Sequence, residues 1–143
     1  MENRKLIMVV DGQGGGLGKA IVDRIRKLNL PLRILGTGTN TAATTAMLKA
    51  GADDAATGEN AVVFNAQNAD YIIGGLGIIA ANAMFGEISP AMANAISSSR
   101  GMKLLIPVNK CNLVVAGIQG NGLTEKIDEA LSFIRLESAD GTN

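Results

Sequence analysis

The nine-residue run DGQGGGLGK at 11–19 constrains the fold of this chain more than any other stretch. It follows an apolar run at 6–10 and precedes an amphipathic segment at 20–28. That order predicts a strand, a tight turn and a helix. Without side chains, the glycines let backbone N–H groups close on an anion at the N-terminus of a helix, where the helix dipole also favours negative charge. The run therefore predicts a turn that binds a phosphate group.

Apolar and amphipathic segments alternate along the rest of the chain, as they do in α/β proteins. Predicted strands lie at 5–11, 32–36, 53–57, 70–74, 102–108 and 113–118, and predicted helices at 18–28, 41–50, 59–68, 75–84, 90–97 and 123–136. Because only a four-residue turn at 109–112 separates the last two strands, we expect them to form an antiparallel hairpin. The expected fold is three-layer and Rossmann-like, with a mostly parallel open sheet, helices on both faces and one antiparallel edge strand.

Length and composition narrow the class of protein. The 143 residues fit a single domain, which we place at 1–136, with 137–143 as a disordered tail. Thirteen basic and 13 acidic residues cancel, which removes the electrostatic footprint of a nucleic-acid binder. No apolar run reaches the ~20 residues that span a membrane, and the single cysteine, Cys111, allows no internal disulfide. We expect a cytoplasmic protein that is not associated with membranes.

Ligands of open parallel sheets bind beyond the carboxyl ends of the strands, where the glycine-rich run and several polar turns are predicted to lie. The negative charge of Asp11 would repel a pyrophosphate at the glycine-rich run unless Asp11 caps the turn or holds a cation. The second strand lacks the terminal acid that holds the ribose of NAD, so uncharged Thr37, Thr39 and Asn40 favour NADP or another nucleotide. The predicted ligand-binding residues are Asp11, Gly12, Gln13, Gly14, Gly15, Gly16, Leu17, Gly18, Thr37, Thr39, Asn40, Glu59 and Asn109.

Catalytic candidates are few, because the chain has no histidine. Lys110 lies beside Cys111 in the turn at 109–112, and a neighbouring lysine favours the thiolate, which is the nucleophilic form of cysteine. Glu87 is a further acid on the same edge. These three residues are the catalytic candidates; the alternative is a polar β-turn in which Cys111 is a small buried residue. The sequence predicts no metal site.

Two known loop types share part of the glycine pattern. The spacing of Gly12, Gly16 and Gly18 resembles the cofactor turn of short-chain dehydrogenases, but their Tyr-x-x-x-Lys pair is missing, because Gly75 follows four residues after Tyr71. GGLGK at 15–19 resembles a deviant phosphate-binding loop, yet an alanine replaces the hydroxyl that binds Mg²⁺ and a glycine replaces the signature lysine. We expect neither hydride transfer nor ATP hydrolysis by these routes.

A wider set of motifs resembles one family. The motifs are DGQGGGLGK at 11–19, GTN at 38–40, MLKAGA at 47–52, ATGEN at 56–60, GEISP at 86–90 and NKCN at 109–112. Together they resemble a small bacterial domain-of-unknown-function family of short proteins, over nearly the whole chain from Leu6 to about Leu136. The resemblance implies a Rossmann-like domain of the bacterial cytoplasm and implies no particular activity.

Three functional hypotheses remain open from the sequence. The first is a protein that binds a nucleotide or dinucleotide, or another small phosphorylated ligand, at the glycine-rich run. The second is an enzyme that acts on a small phosphorylated or carboxylated metabolite through Lys110 and Cys111. The third is a non-catalytic assembly subunit whose glycine turn is empty. Because the ligand edge of so small a domain is open, we expect a homodimer.

Overall fold

The computed structural model describes residues 3–108, 112–118, 120 and 122–136. Within these ranges five strands and five α-helices alternate, with a 3₁₀ turn at Leu76–Ile79. The strands are β1 (Lys5–Asp11), β2 (Leu32–Gly38), β3 (Asp54–Thr57), β4 (Tyr71–Gly75) and β5 (Met102–Ile106). The helices are α1 (Gly16–Lys27), α2 (Thr41–Ala50), α3 (Glu59–Ala66), α4 (Pro90–Ser98) and α5 (Leu123–Leu131). None of these helices combines the length and the apolar character that crossing a membrane requires.

The five strands form one sheet in the order β3-β2-β1-β4-β5, and every neighbouring pair in it is parallel. Asp11 at the end of β1 is in register with Gly38 at the end of β2, and Gly75 of β4 is in register with Ile106 of β5. The carboxyl ends therefore meet at one edge. The strand order reverses beside β1, so a crevice opens between the ends of β1 and β4.

Helices cover both faces of the sheet. Ile7 and Val9 of β1 pack into a cluster with α1, α2 and α5, whereas Met8 and Val10 pack into a second cluster with α3 and α4. Both faces of β1 are buried, which explains its continuous rather than alternating apolar sequence. The predicted three-layer Rossmann-like fold is confirmed.

Two predicted elements are wrong. The predicted antiparallel strand at 113–118 is instead irregular backbone and a turn, and the sheet of the described residues is entirely parallel, with β5 at its edge. Gly117 has a left-handed φ of 85°, which is incompatible with a strand. The predicted helix at 75–84 is a short 3₁₀ turn followed by further turns, because its glycines favour a helix weakly and Asn82 and Met84 have left-handed φ.

Candidate functional site

The carboxylate of Asp11 fixes the shape of the glycine-rich loop. Asp11 ends β1 and is 6% exposed. Its Oδ1 accepts a hydrogen bond from the N–H of Gly12 at 2.8 Å, and its Oδ2 accepts one from the N–H of Gly18 at 2.6 Å. Asp11 therefore joins the start of the loop to the first turn of α1, which is the capping role considered for it from the sequence.

Glu87, from the segment between β4 and α4, ties three loops together. Its Oε1 accepts from the N–H of Gln13 at 2.8 Å, from the hydroxyl of Thr39, and from Nδ2 of Asn40 at 3.1 Å. Asn40 also caps α2, because its Oδ1 accepts from the N–H of Ala43 at 2.9 Å. The N–H of Gln13, followed by the hydroxyl of Thr39, lowers the pKa of Glu87.

Acid titration tests whether the hydrogen bonds accepted by the carboxylate of Glu87 stabilise the fold. Because the pKa of Glu87 is lowered in the folded chain, its contribution to stability is complete above the unfolded-state pKa of about 4.3 and is lost as pH falls through the lower folded-state value. We expect Glu87→Gln to be less stable than wild type near neutral pH, and the difference to shrink below about pH 4. Urea unfolding across this range measures it, with Glu129→Gln as the control for net charge. A difference that stays constant with pH contradicts the assignment.

The remaining amides of the loop have no partner among the described residues. Gly12, Gln13, Gly15 and Gly18 donate their N–H groups to the carboxylates of Asp11 and Glu87 or to the backbone. The amides at 14, 16 and 17 make no hydrogen bond to any other described residue. Those at 16 and 17 belong to the first turn of α1, where the helix dipole favours negative charge.

The five glycines between 12 and 18 serve different purposes. Gly15 has a left-handed φ of 78°, and a Cβ on Gly12, Gly15 or Gly18 would lie within 3.0 Å of other atoms. By contrast, a Cβ on Gly14 or Gly16 would have no atom of a described residue within 4 Å, and neither glycine has a left-handed φ. The fold therefore does not require glycine at 14 or 16. Glycine at these two positions leaves open space beside the amides at 14, 16 and 17.

This open space forms a pocket at the crevice between β1 and β4. The pocket has a volume of about 170 Å³ and is lined by the loop at 11–17 together with Gly75, Gly77, Met84 and Val108. Sites for drug-sized ligands are larger, at about 300–1,000 Å³. The pocket is therefore smaller than such a site and has room for a phosphate group.

The family model described as Domain of unknown function (DUF3842) matches residues 6–138. The chain belongs to this family. The match confirms the family predicted from the motifs and assigns no activity. Comparison with curated proteins finds no match. The function of this DUF3842 domain is therefore argued from its site.

A second cavity of about 540 Å³ adjoins the first in the DUF3842 domain. It is lined by Gln13, by the segment 80–85 and by Asn112, and it shares Gln13 and Met84 with the phosphate-sized pocket. Phe85 on its rim is 100% exposed. Sequence analysis did not select Phe85, although an aromatic residue next to Gly86, in a chain with three phenylalanines, was an available signal.

Other predicted site residues of the DUF3842 domain lie elsewhere or outside the described ranges. Thr37 is fully buried, and its hydroxyl donates to the carbonyl oxygen of Val9 at 3.1 Å. Glu59 accepts a hydrogen bond from the hydroxyl of Ser89, the N-cap of α4, and does not line the pocket at the glycine-rich loop. Outside the described residues lie Asn109, Lys110, Cys111 and the tail at 137–143. In the described ranges, no three acidic, histidine or cysteine side chains are grouped to hold a metal ion.

Proposed function

We propose that this DUF3842 protein binds a small phosphorylated ligand, whose phosphate accepts hydrogen bonds from the N–H groups of Gly14, Gly16 and Leu17. The observation that carries the proposal is the set of three unpaired amides, two of them in the first turn of α1, in a pocket where the strand order reverses. Such amides and the positive end of the helix dipole attract a phosphate. The open Cβ positions at 14 and 16 let it approach the backbone.

One phosphate fits this loop better than the pyrophosphate of a dinucleotide. The two carboxylates already hold the amides of Gly12, Gln13 and Gly18. Space over Gly12 is also closed, since a Cβ there would lie 2.6 Å from Oγ1 of Thr39, 2.7 Å from Oε1 of Glu87 and 2.9 Å from Sδ of Met84. The carboxylate of Glu87 repels further negative charge.

The carboxylate of Glu87 argues against NADP, which the sequence predicted together with other nucleotides as a candidate cofactor. That expectation depended on uncharged side chains at Thr39 and Asn40 to accommodate a 2′-phosphate. Both side chains donate to Oε1 of Glu87, which brings a negative charge to this position. A 2′-phosphate there would meet repulsion instead of donors. We therefore propose a ligand with a single phosphate group and do not propose NADP.

Calorimetric titration with inorganic phosphate and ribose 5-phosphate tests the proposal. We expect Gly16→Ala to weaken ribose 5-phosphate binding at least about tenfold, because the methyl group takes space beside the amides, a loss of about 1.4 kcal/mol. Without ligand the variant should be as stable as wild type, or more stable by about 0.4–1 kcal/mol, since the residue enters α1 without strain.

A matched variant separates a binding effect from a general effect of replacing glycine. Gly120 lies outside the pocket; a Cβ there also has no atom within 4 Å, and its φ is not left-handed. Gly120→Ala should bind ribose 5-phosphate as wild type does. Absence of binding to wild type at millimolar concentrations, or equal affinity in Gly16→Ala, overturns the proposal.

A further inference from the structure

We infer that the phosphorylated ligand carries a nucleobase, which occupies the second cavity and stacks on the ring of Phe85. The inference rests on the proposed function and names the class of its ligand, a nucleoside monophosphate. Four observations support it: the two lining residues that the cavities share, the exposure of Phe85, the backbone conformation around this ring, and the chemistry of the other lining residues.

The two cavities are neighbours, because Gln13 and Met84 line both. A ligand with its phosphate in the smaller pocket would therefore have the larger cavity next to it. The larger cavity, at about 540 Å³, falls within the range of about 300–1,000 Å³ that small-molecule sites occupy. The larger cavity has about three times the volume of the smaller pocket, which is about 170 Å³, so it is the better site for a ribose and a base together.

Phe85 is fully exposed at the rim of the larger cavity. The other two phenylalanines, Phe64 and Phe133, are 60% and 52% exposed. A ring that buries no surface within its own chain gains nothing from the hydrophobic effect in the free protein. Its faces remain available for stacking, and every base offers a π-face that stacks on an aromatic side chain.

The backbone holds this ring outward at a cost. Met84, Phe85 and Gly86 have consecutive left-handed φ values of 59°, 55° and 89°, and Asn82 has a φ of 67°. Such a φ is uncommon for a bulky residue and persists only where the surroundings enforce it. Here Glu87, the next residue, fixes the end of the segment through its contacts with Gln13 and Thr39.

The rest of the lining suits a flat ring with a polar edge. The alanines at 80, 81 and 83 present only methyl groups, and Asn82 and Asn112 add two carboxamides. A carboxamide offers both donors and an acceptor, which is the complement of a base edge. Asn82 and Asn112 are both exposed, so their carboxamides are accessible to the polar edge of a base.

Calorimetric titration with AMP, GMP and UMP, each compared with ribose 5-phosphate, tests the inference. These probes share the phosphate and the ribose and differ by the base. We expect at least one nucleotide to bind wild type roughly five- to a hundredfold tighter than ribose 5-phosphate, the range that stacking of one base supplies. Phe85→Ala should remove that advantage and leave ribose 5-phosphate binding unchanged.

Phe64→Ala is the matched control, because Phe64 is an exposed phenylalanine on α3 outside both cavities. It should keep the full nucleotide preference. If Gly16→Ala weakens ribose 5-phosphate binding but no nucleotide binds tighter than ribose 5-phosphate, this inference is wrong and the proposed function stands. Absence of binding by every probe overturns the proposed function as well. If Phe85→Ala changes the sedimentation of the protein but not its nucleotide affinity, Phe85 contacts another protein molecule. This result also overturns the inference.

Discussion

Replacing Gly15 by alanine should lower the free energy of unfolding by about 3 kcal/mol. Gly15 has a left-handed φ of 78°, a conformation that costs other residues about 1–2 kcal/mol. In addition, the new Cβ would lie 2.7 Å from Cα of Ala43 and 3.2 Å from its carbonyl oxygen. Both are backbone atoms of α2 that no rotamer change removes, and overpacking of this kind costs typically 1–3 kcal/mol.

Urea unfolding and thermal unfolding measure this effect, and a loss of this size should lower Tm by about 10 °C. Gly14→Ala and Gly16→Ala are matched controls in the same loop. Since neither Cβ would have an atom within 4 Å, both variants should remain within about 1 kcal/mol of wild type. If Gly15→Ala is as stable as these two, α2 does not pack against the loop as the structure shows.

Asp11→Ala should lower the free energy of unfolding by about 2–4 kcal/mol, an effect of the same size as that of Gly15→Ala. The substitution removes the acceptor of two N–H groups, those of Gly12 and Gly18, at a buried position. A buried donor left unpaired costs about 1–3 kcal/mol. Asp11→Asn should lose about half as much, because the carboxamide has one oxygen and can serve only one of the two donors.

Hydrogen exchange gives the sharper measurement for Asp11, because the amides of Gly12 and Gly18 should exchange faster in Asp11→Ala. Asp70→Ala is the control. Asp70 accepts from the N–H of Leu6 at 2.8 Å and pairs with Arg100, but its side chain is 31% exposed, so the loss should be smaller. Equal losses in the two variants would mean that Asp11 does not hold the loop.

Elements with strong local signals were predictable from the sequence. The range of α2 was predicted to the residue, because Asn40 is an N-cap and Gly51 ends the helix. The start of α4 followed from Ser89-Pro90 in the same way. At 113–118 an apolar run predicted a strand, but apolar periodicity does not report the left-handed φ of Gly117 that prevents one.

Tertiary contacts explain what sequence reasoning missed in the candidate site. Glu87 and Gln13 are 74 positions apart, and no local pattern pairs an acid with an amide at that distance. Positions 14, 15 and 16 are all glycine, yet only at Gly15 would a Cβ lie against atoms of α2. Likewise, the role of Asp11 depends on the N–H of Gly18, which comes into reach only after α1 has formed.

The contacts of Asp11 and Glu87 have a practical consequence for crystallography. Both side chains hold the glycine-rich loop through hydrogen bonds within the chain itself, so we expect the loop to be preorganised and to have the same backbone in the free and bound states. Crystals grown without ligand should then accept a phosphate compound by soaking, without cracking or loss of diffraction. Ligand screening can start from such crystals.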